Sequence, residues 1–267
     1  MRPFSASLAF AGIALIAAGC SDDSSVTEPT TTQASKLAHL LPDHNTLRSQ
    51  LRAVLEEDNG GLGFEMWATI LDRNGKVVDV VFSGEHRGDQ WPGSRVISAQ
   101  KANTANAFSL EGFALSSANL NAAVQPGGSL FGLQESNPVD PRVAYAGPVS
   151  AYGSSHDPMI GRRIGGINVF GGGLALYSAD GELLGGLGVS GDTSCTDHII
   201  AWKLRHGLNL DNVPAGPDED SSSDNIIYVE GDLDGFEHPI CFDLPGNGDH
   251  VEIGNDLPTT DPIGPAE

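Results

Sequence analysis

The chain has 267 residues, of which 39% are hydrophobic and 18% charged, and its formal net charge is -21. This length and apolar content fit one large globular domain with a buried core. The excess of acidic residues repels phosphate groups, which argues against binding to nucleic acid or to anionic lipid headgroups. The charge is uneven, because residues 206–267 hold 15 of the 35 acidic residues and no Lys or Arg.

The N-terminus has the pattern of an export signal. Arg2 precedes a short apolar run that ends in Ala17-Ala18-Gly19-Cys20. The run is shorter than the roughly 20 residues that span a bilayer, so it predicts a lipoprotein signal peptide over residues 1–19, with Cys20 carrying the lipid. An ordinary cleaved signal peptide, in which Cys20 has no role, is the alternative.

The residues that follow the signal predict where the protein resides. Residues 20–35 lack apolar periodicity and predict a flexible tether between membrane and domain. We therefore expect an exported protein of the cell envelope, lipid-anchored through Cys20 and facing the periplasm or the outer surface.

The first half of the chain predicts helices around a hairpin. Apolar residues spaced three to four apart form one stripe on the first helix, which begins near Asp43 because Pro42 breaks the segment. Asn74-Gly75 between two apolar runs predicts a hairpin turn. The predicted elements are a helix over 43–57, strands over 64–71 and 76–82, a helix over 94–108, a weaker helix over 110–124 and a short strand over 130–133.

The second half contains a hairpin that is unusually rich in glycine. Residues 166–177 and 182–189 are strand-like and are joined by a turn, and residues 196–206 predict a helix without Pro or Gly. Glycine weakens strands through its backbone entropy, so this density predicts the close approach of another backbone or of a flat ligand. The element order predicts an α+β domain with a single antiparallel sheet of about five strands, flanked by helices.

Two catalytic interpretations of this region fail on their context. Residues 186–191 match a Gly-x-Gly-x-x-Gly fingerprint, but no apolar strand follows the next helix, as a dinucleotide-binding unit requires. Ser190, Asp197 and His198 do not form a nucleophile set, because Ser190 lacks the Gly-x-Ser-x-Gly elbow. No acid–base pair or metal cluster emerges, so the sequence favours a non-enzymatic role without deciding it.

Two cysteines remain once Cys20 is assigned to lipid. In an oxidising envelope compartment, Cys195 and Cys241 predict one disulfide, which would pin the acidic tail to the start of the last helix. Two buried thiols, or a thiolate ligand at Cys195, are the alternatives.

Two ordered blocks of the sequence resemble those of a known family. The downstream block reads GGGLAL at residues 171–176 and GGLGVSG at 185–191, and Asp197 and Ala201 lie on the next helix. The upstream block reads ATILDRNGKVV at residues 68–78 and SAQKANTA at 98–105. The chain thereby resembles the GlcG/HbpS-like (DUF336) haem-binding protein family over about residues 37–210. Ala175 stands where that family usually has Pro.

The resemblance implies a domain organisation and a cofactor. It implies one GlcG/HbpS-like haem-binding domain over residues 36–210, with residues 137–163 as an insertion, and an acidic C-terminal extension over 211–267 that is partly disordered. Haem, or a related tetrapyrrole, is the implied ligand, and a homo-oligomer is the implied assembly. Because the sequence has no Cys-x-x-Cys-His motif, binding would be non-covalent.

Haem needs an axial ligand in an apolar slot, and three histidines are candidates. His86 follows the second strand beside Arg87 and is the first choice. His198 shares a helix face with Trp202, and His156 adjoins Asp157, which could orient its ring. His86 and His198 are the candidate iron ligands. For each histidine the alternative is a surface or structural imidazole.

Further residues could hold the rest of the haem. Arg87 and Arg95 could meet the propionates, and Lys101, at the position of the family's lysine, could form an ion pair or contact a propionate. Gly172 and Gly173 could let the flat ring approach the backbone.

The sequence thus predicts an envelope lipoprotein that binds haem for buffering, relay or sensing. One alternative is a non-catalytic oligomeric assembly module that uses the glycine-rich hairpin as its interface. Another is a small-metabolite enzyme of the glycolate or diol type, which the resemblance implies.

Overall fold

The computed structural model describes residues 38–218, 223–231, 233 and 235–260. The predicted signal peptide, Cys20 and the tether over 20–35 lie outside the described residues. Among the described residues, no helix is both long enough and apolar enough to cross a membrane.

A four-stranded antiparallel sheet forms the centre of the fold, which confirms the α+β prediction. Its strands run in the spatial order β2-β1-β4-β3. They are β1 (Trp67–Asp72), β2 (Val77–Phe82), β3 (Gly173–Tyr177) and β4 (Leu183–Ser190). The predicted strand over 130–133 is absent, since Leu133 instead begins a short helix, α3 (Leu133–Ser136).

Both hairpins form, and glycine conformation sets the length of the second. In the first turn the Asp72 carboxylate accepts the N–H groups of Asn74 and Lys76, both at 2.9 Å. The strand predicted over 166–177 begins only at Gly173, because Gly166 and Gly172 have φ of 82° and 105°, outside the extended region.

Three helices cover the two faces of the sheet. They are α1 (His44–Leu55), α2 (Ser94–Phe108) and α5 (Ser194–Gly207). Side chains alternate along β1, so Ile70 packs in one core cluster with residues of α1 and α5, while Leu71 packs with α2. The remaining helices of the domain are the short α4 (Pro141–Ala144) and the 3-10 turns at 38–40, 118–120, 122–124 and 149–151.

The helix predicted over 110–124 is wrong. Ala114 N–H bonds to the carbonyl of Ala215 at 2.7 Å, and Ser117 N–H to that of Gly173 at 2.9 Å. These long-range bonds take donors that a helix would use internally, so only two 3-10 turns form there.

The C-terminal extension packs back onto α5. Its described elements are a parallel pair, β5 (Ile227–Val229) and β6 (Glu237–Pro239), and a helix, α6 (His250–Asn255). The predicted disulfide between Cys195 and Cys241 is confirmed, with Cα atoms 6.0 Å apart. Asp224 of the extension makes a bidentate pair with Arg205, 2.8 Å at each nitrogen, and neither side chain is exposed.

Backbone groups at the outer strands of the sheet have partners beyond it. On β3, Ser117 bonds both backbone groups of Gly173, Arg205 reaches the carbonyl of Ala175, and Tyr177 N–H bonds to Leu210. On β2, residues 161–162 bond to Val77.

Candidate functional site

A groove of about 540 Å³ lies where β2 ends, between α1, the loop that holds His86 and the segment over 149–154. Three parts of the chain that are far apart in sequence build it. The segment over 149–154 belongs to the proposed insertion of residues 137–163, which therefore supplies one wall of the groove.

Two arginines of α1 fix the end of β2, and Arg48 lines the groove whereas Arg52 lies outside it. The Arg48 guanidinium donates to the carbonyls of Phe82 and Gly84, at 3.0 and 2.8 Å, and its carbon lies 5.1 Å from the centroid of the Phe82 ring. One turn later, Arg52 donates to the Ser83 carbonyl at 2.5 Å. These bonds fix the end of β2 and leave an aromatic surface beside positive charge.

A buried ion pair fixes the opposite wall. Arg95 is 1% exposed and pairs with both carboxylate oxygens of Asp157, at 2.8 Å for Nε. Its guanidinium carbon also lies 3.6 Å from the centroid of the Tyr152 ring. The same carboxylate accepts the Gly153 N–H at 2.7 Å. Arg95 therefore positions the tyrosine wall, and its own charge is neutralised behind that wall.

The mouth of the groove carries the exposed side chains of His86 and Arg87. The loop is shaped by Asp89, which accepts the His86 N–H at 2.7 Å, and by Gln90, which donates to the His86 carbonyl at 2.8 Å. The His86 ring makes no hydrogen bond within the described part of the chain. His44 also lines the groove, and its Nδ1 lies 2.8 Å from the Asp79 carboxylate, which leaves Nε2 for another partner.

The donor set of this groove fits haem. A tetrapyrrole needs an axial ligand, flat apolar contacts and cations for its propionates. His86 would offer the imidazole, Phe82 and Tyr152 the aromatic contacts, and Arg48 and Arg87 the cations. When bound, haem would supply redox-active iron, which the His86 imidazole would hold.

A second groove, of about 500 Å³, is more strongly acidic. Its acidic side chains are Glu56, Glu57, Asp58, Glu65, Glu85 and Asp192, and no histidine lines it among the described residues. Of these six, Glu85 also lines the His86 groove. Carboxylates repel propionates, so this groove does not fit haem.

Lys101 and the glycine pair of the predicted site lie inside the domain, away from the His86 groove. The Lys101 ammonium is 2.6 Å from Asp197 Oδ2 and 3.1 Å from the Val189 carbonyl, and burial lowers its pKa. A Cβ on Gly172 would lie 2.5 Å from the Val189 carbonyl oxygen, and one on Gly173 would lie 2.4 Å from that of Lys101. The close approach at both glycines is by the chain's own backbone.

The other two candidate histidines lie in different surroundings. His198 is fully buried, with its ring centroid 6.1 Å from that of Trp202, and it lines neither groove. His156 is exposed and lies 3.2 Å from the Ser155 hydroxyl. The structure therefore brings His86 and Arg87 together with the wall that Arg95 supports, and leaves His198, His156 and Lys101 outside that groove.

Sequence reasoning missed His44, Arg48 and Tyr152. A signal existed for the first two, because residues four apart on a helix share a face, so His44 and Arg48 point the same way. Tyr152 had no local signal, since its position depends on Arg95, a partner far away in the sequence.

Comparisons with known proteins give one family and several distant structural neighbours. A PduOC–haem complex is 23% identical, with a TM-score of 0.44, over 64% of this chain and 96% of that chain. Klebsiella pneumoniae protein ORFY is 21% identical, with a TM-score of 0.40, over 67% and 90%. A double mutant of Streptomyces reticuli HbpS is 19% identical, with a TM-score of 0.32, over 77% of this chain and 99% of that chain. No curated protein matches the chain.

The family itself follows from the sequence match. The model described as haem-degrading protein HbpS-like matches residues 43–204, which is more than half of the chain. The protein is therefore a member of the HbpS-like family.

Proposed function

We propose that this protein binds haem, or a related tetrapyrrole, non-covalently in the groove that His86 lines. The observation that carries the proposal is the presence, in one groove of about 540 Å³, of an imidazole that has no hydrogen bond to the described residues and lies beside aromatic side chains and guanidinium groups. Membership of a family described by haem chemistry supports the choice of ligand.

Each side chain has a defined part in this proposal. His86 binds the iron, Phe82 and Tyr152 contact the ring, and Arg87 and Arg48 pair with the propionates. Arg95 acts through Tyr152 and does not touch the ligand.

Titration of haemin into the purified full chain tests the proposal. We expect a saturable, one-per-chain shift of the Soret band. The variant His86→Ala should shift the band position and weaken binding by at least tenfold, because it removes the axial ligand. His39→Ala, which removes an exposed histidine outside the groove, is the matched control and should leave the titration unchanged.

His198→Phe and His156→Ala complete the series, since both histidines are sequence-predicted alternatives. Haem does not bind in the His86 groove if His86→Ala leaves the haemin spectrum unaltered, or if only His198→Phe abolishes binding.

We further propose that the protein works in the cell envelope, anchored by lipid on Cys20, where bound haem is buffered, relayed or sensed. The disulfide between Cys195 and Cys241 supports this location, because such bonds persist in oxidising compartments. We expect the full chain to fractionate with membranes and the variant Cys20→Ser to remain in the soluble fraction. Equal membrane association of both forms would contradict the anchor.

A further inference from the structure

We propose that Cys195, Cys241 and His250 form a redox-gated metal site. With the disulfide reduced, the two thiolates and the imidazole bind a divalent cation that prefers sulfur and nitrogen, such as Zn²⁺. In the oxidised chain the disulfide closes the site.

The three side chains meet at one point, although they come from three segments. Cys195 lies in the first turn of α5, Cys241 follows β6, and His250 begins α6. One ligand atom from each lies within 4.8 Å of the other two. Two sulfurs and one imidazole nitrogen are a ligand set typical of zinc, with the fourth position left to water.

The imidazole is already oriented for a metal. Asp243 Oδ2 lies 2.6 Å from His250 Nδ1, which therefore carries the proton. Nε2 then carries the electron pair, which accepts the Cys241 N–H at 3.1 Å in the oxidised chain. This hydrogen bond has to be released before Nε2 can bind a metal ion. A carboxylate that holds the far nitrogen of a histidine is the usual outer partner of a metal ligand.

The position of Cys241 also favours a thiolate. Its sulfur accepts the Cys195 N–H at 3.1 Å, at the positive N-terminal end of the 14-residue helix α5. The positive helix end attracts negative charge on the sulfur, and the thiolate is the form of cysteine that binds metal.

The chemical step balances with a dithiol as reductant. The dithiol gives two electrons and two protons and becomes a disulfide, while the Cys195–Cys241 bond breaks and two thiols form. The metal ion then displaces both thiol protons to water and forms two metal–sulfur bonds. Zn–S bonds of about 2.3 Å in a tetrahedral site place the sulfurs about 3.8 Å apart, so the two sulfurs have to separate when the metal ion binds.

The consequence is that the C-terminal extension can be cross-linked to α5 in two ways. A disulfide fastens it in the oxidised chain, and a metal ion fastens it in the reduced chain. This site shares no residue with the His86 groove, so the two can be tested separately.

Titration with Co²⁺, a spectroscopic substitute for Zn²⁺, tests the site. The full chain with Cys20→Ser, which removes the third thiol, is compared before and after reduction by a dithiol that is then removed without air. We expect one Co²⁺ per reduced chain, with a thiolate charge-transfer band that Zn²⁺ abolishes. The oxidised chain should give no band.

Variants separate this site from unspecific thiol binding. Asp243→Asn should weaken Co²⁺ binding by about 10–100-fold, because the orienting carboxylate is lost. His250→Gln should change the Co²⁺ spectrum, and Asp256→Asn, at an exposed residue beyond α6, is the control. The proposal is overturned by a band of equal strength in the oxidised chain, by no band in the reduced chain, or by unchanged affinity and spectrum in His250→Gln. Loss of the native circular dichroism on reduction also overturns it, since the site needs both segments in place.

Discussion

Two buried histidines make the stability of this fold depend on pH. Burial lowers the pKa of His198 to about 3 and that of His238 to about 4. Neither ring nitrogen of His198 has a hydrogen-bond partner among the described residues. His238 is held differently, since its Nε2 lies 2.8 Å from the Ser194 hydroxyl and its Nδ1 lies 2.7 Å from the Pro239 carbonyl. The folded chain therefore keeps both imidazoles neutral.

We expect acid to unfold the protein partly through His198. Its unfolded pKa is near 6.5 and its folded pKa about 3, so between these values the unfolded chain binds the extra proton. The free energy of unfolding should fall as pH drops below 6.5, by at most about 1.4 kcal/mol per pH unit from this group. Urea unfolding from pH 7 to pH 4 measures the slope.

The variant His198→Phe isolates this contribution. It should have a shallower loss of stability between pH 6 and pH 4 than the wild type, whereas His39→Phe, at an exposed position, should match the wild type. An unchanged slope in His198→Phe would mean that the imidazole is hydrated or protonated in the folded chain.

At the scale of elements, the glycines of β4 let α2 lie directly on the sheet. A Cβ on Gly188 would be 1.9 Å from the Ser98 carbonyl oxygen, and one on Gly186 would be 2.3 Å from that of Ala102. Side chains at these positions would push α2 away from the sheet. The glycine density that the sequence predicted for the close approach of a backbone or a ligand is, at these two positions, met by the helix.

We expect Gly188→Ala to lower the free energy of unfolding by about 3 kcal/mol, because the overlap is with backbone atoms that cannot rotate away. Gly112→Ala is the control, since a Cβ there meets nothing within 4 Å. Chemical denaturation of both variants checks the difference. Equal stability of the two would show that α2 shifts at little cost.

The sequence predicted those elements whose signals are local. The first helix, α1, begins next to Asp43 as expected, and α2 runs from Ser94 to Phe108 as predicted. The region over 110–124 was mispredicted, because Ala114 and Ser117 bond to residues far away in the sequence. Long-range contacts also limited the prediction of the site. His86 could be proposed from its place after a strand, but the position of Tyr152 depends on the long-range ion pair of Arg95 and Asp157.

At the scale of the whole molecule, the C-terminal extension is integrated into the fold although the family match ends at residue 204. Asp224 neutralises the buried Arg205, and Pro258 accepts the indole N–H of Trp202 at 2.6 Å. The negative charge of this region is typical of exposed chain, and no short-range pattern marked Asp224 as a fully buried carboxylate. Its partner, Arg205, lies on α5, so the ion pair can be recognised only in the folded structure.

The bonds at the outer strands limit how copies of this chain can associate. A free sheet edge can template strand addition from a neighbour, which is a common route to dimers and to fibres. Here Gly173, Ala175 and Tyr177 of β3 already bond to Ser117, Arg205 and Leu210, and the start of β2 is bonded to residues 161–162. A homo-oligomer, as the family resemblance implies, would therefore be unable to extend the sheet by adding a strand along β3 or at the start of β2.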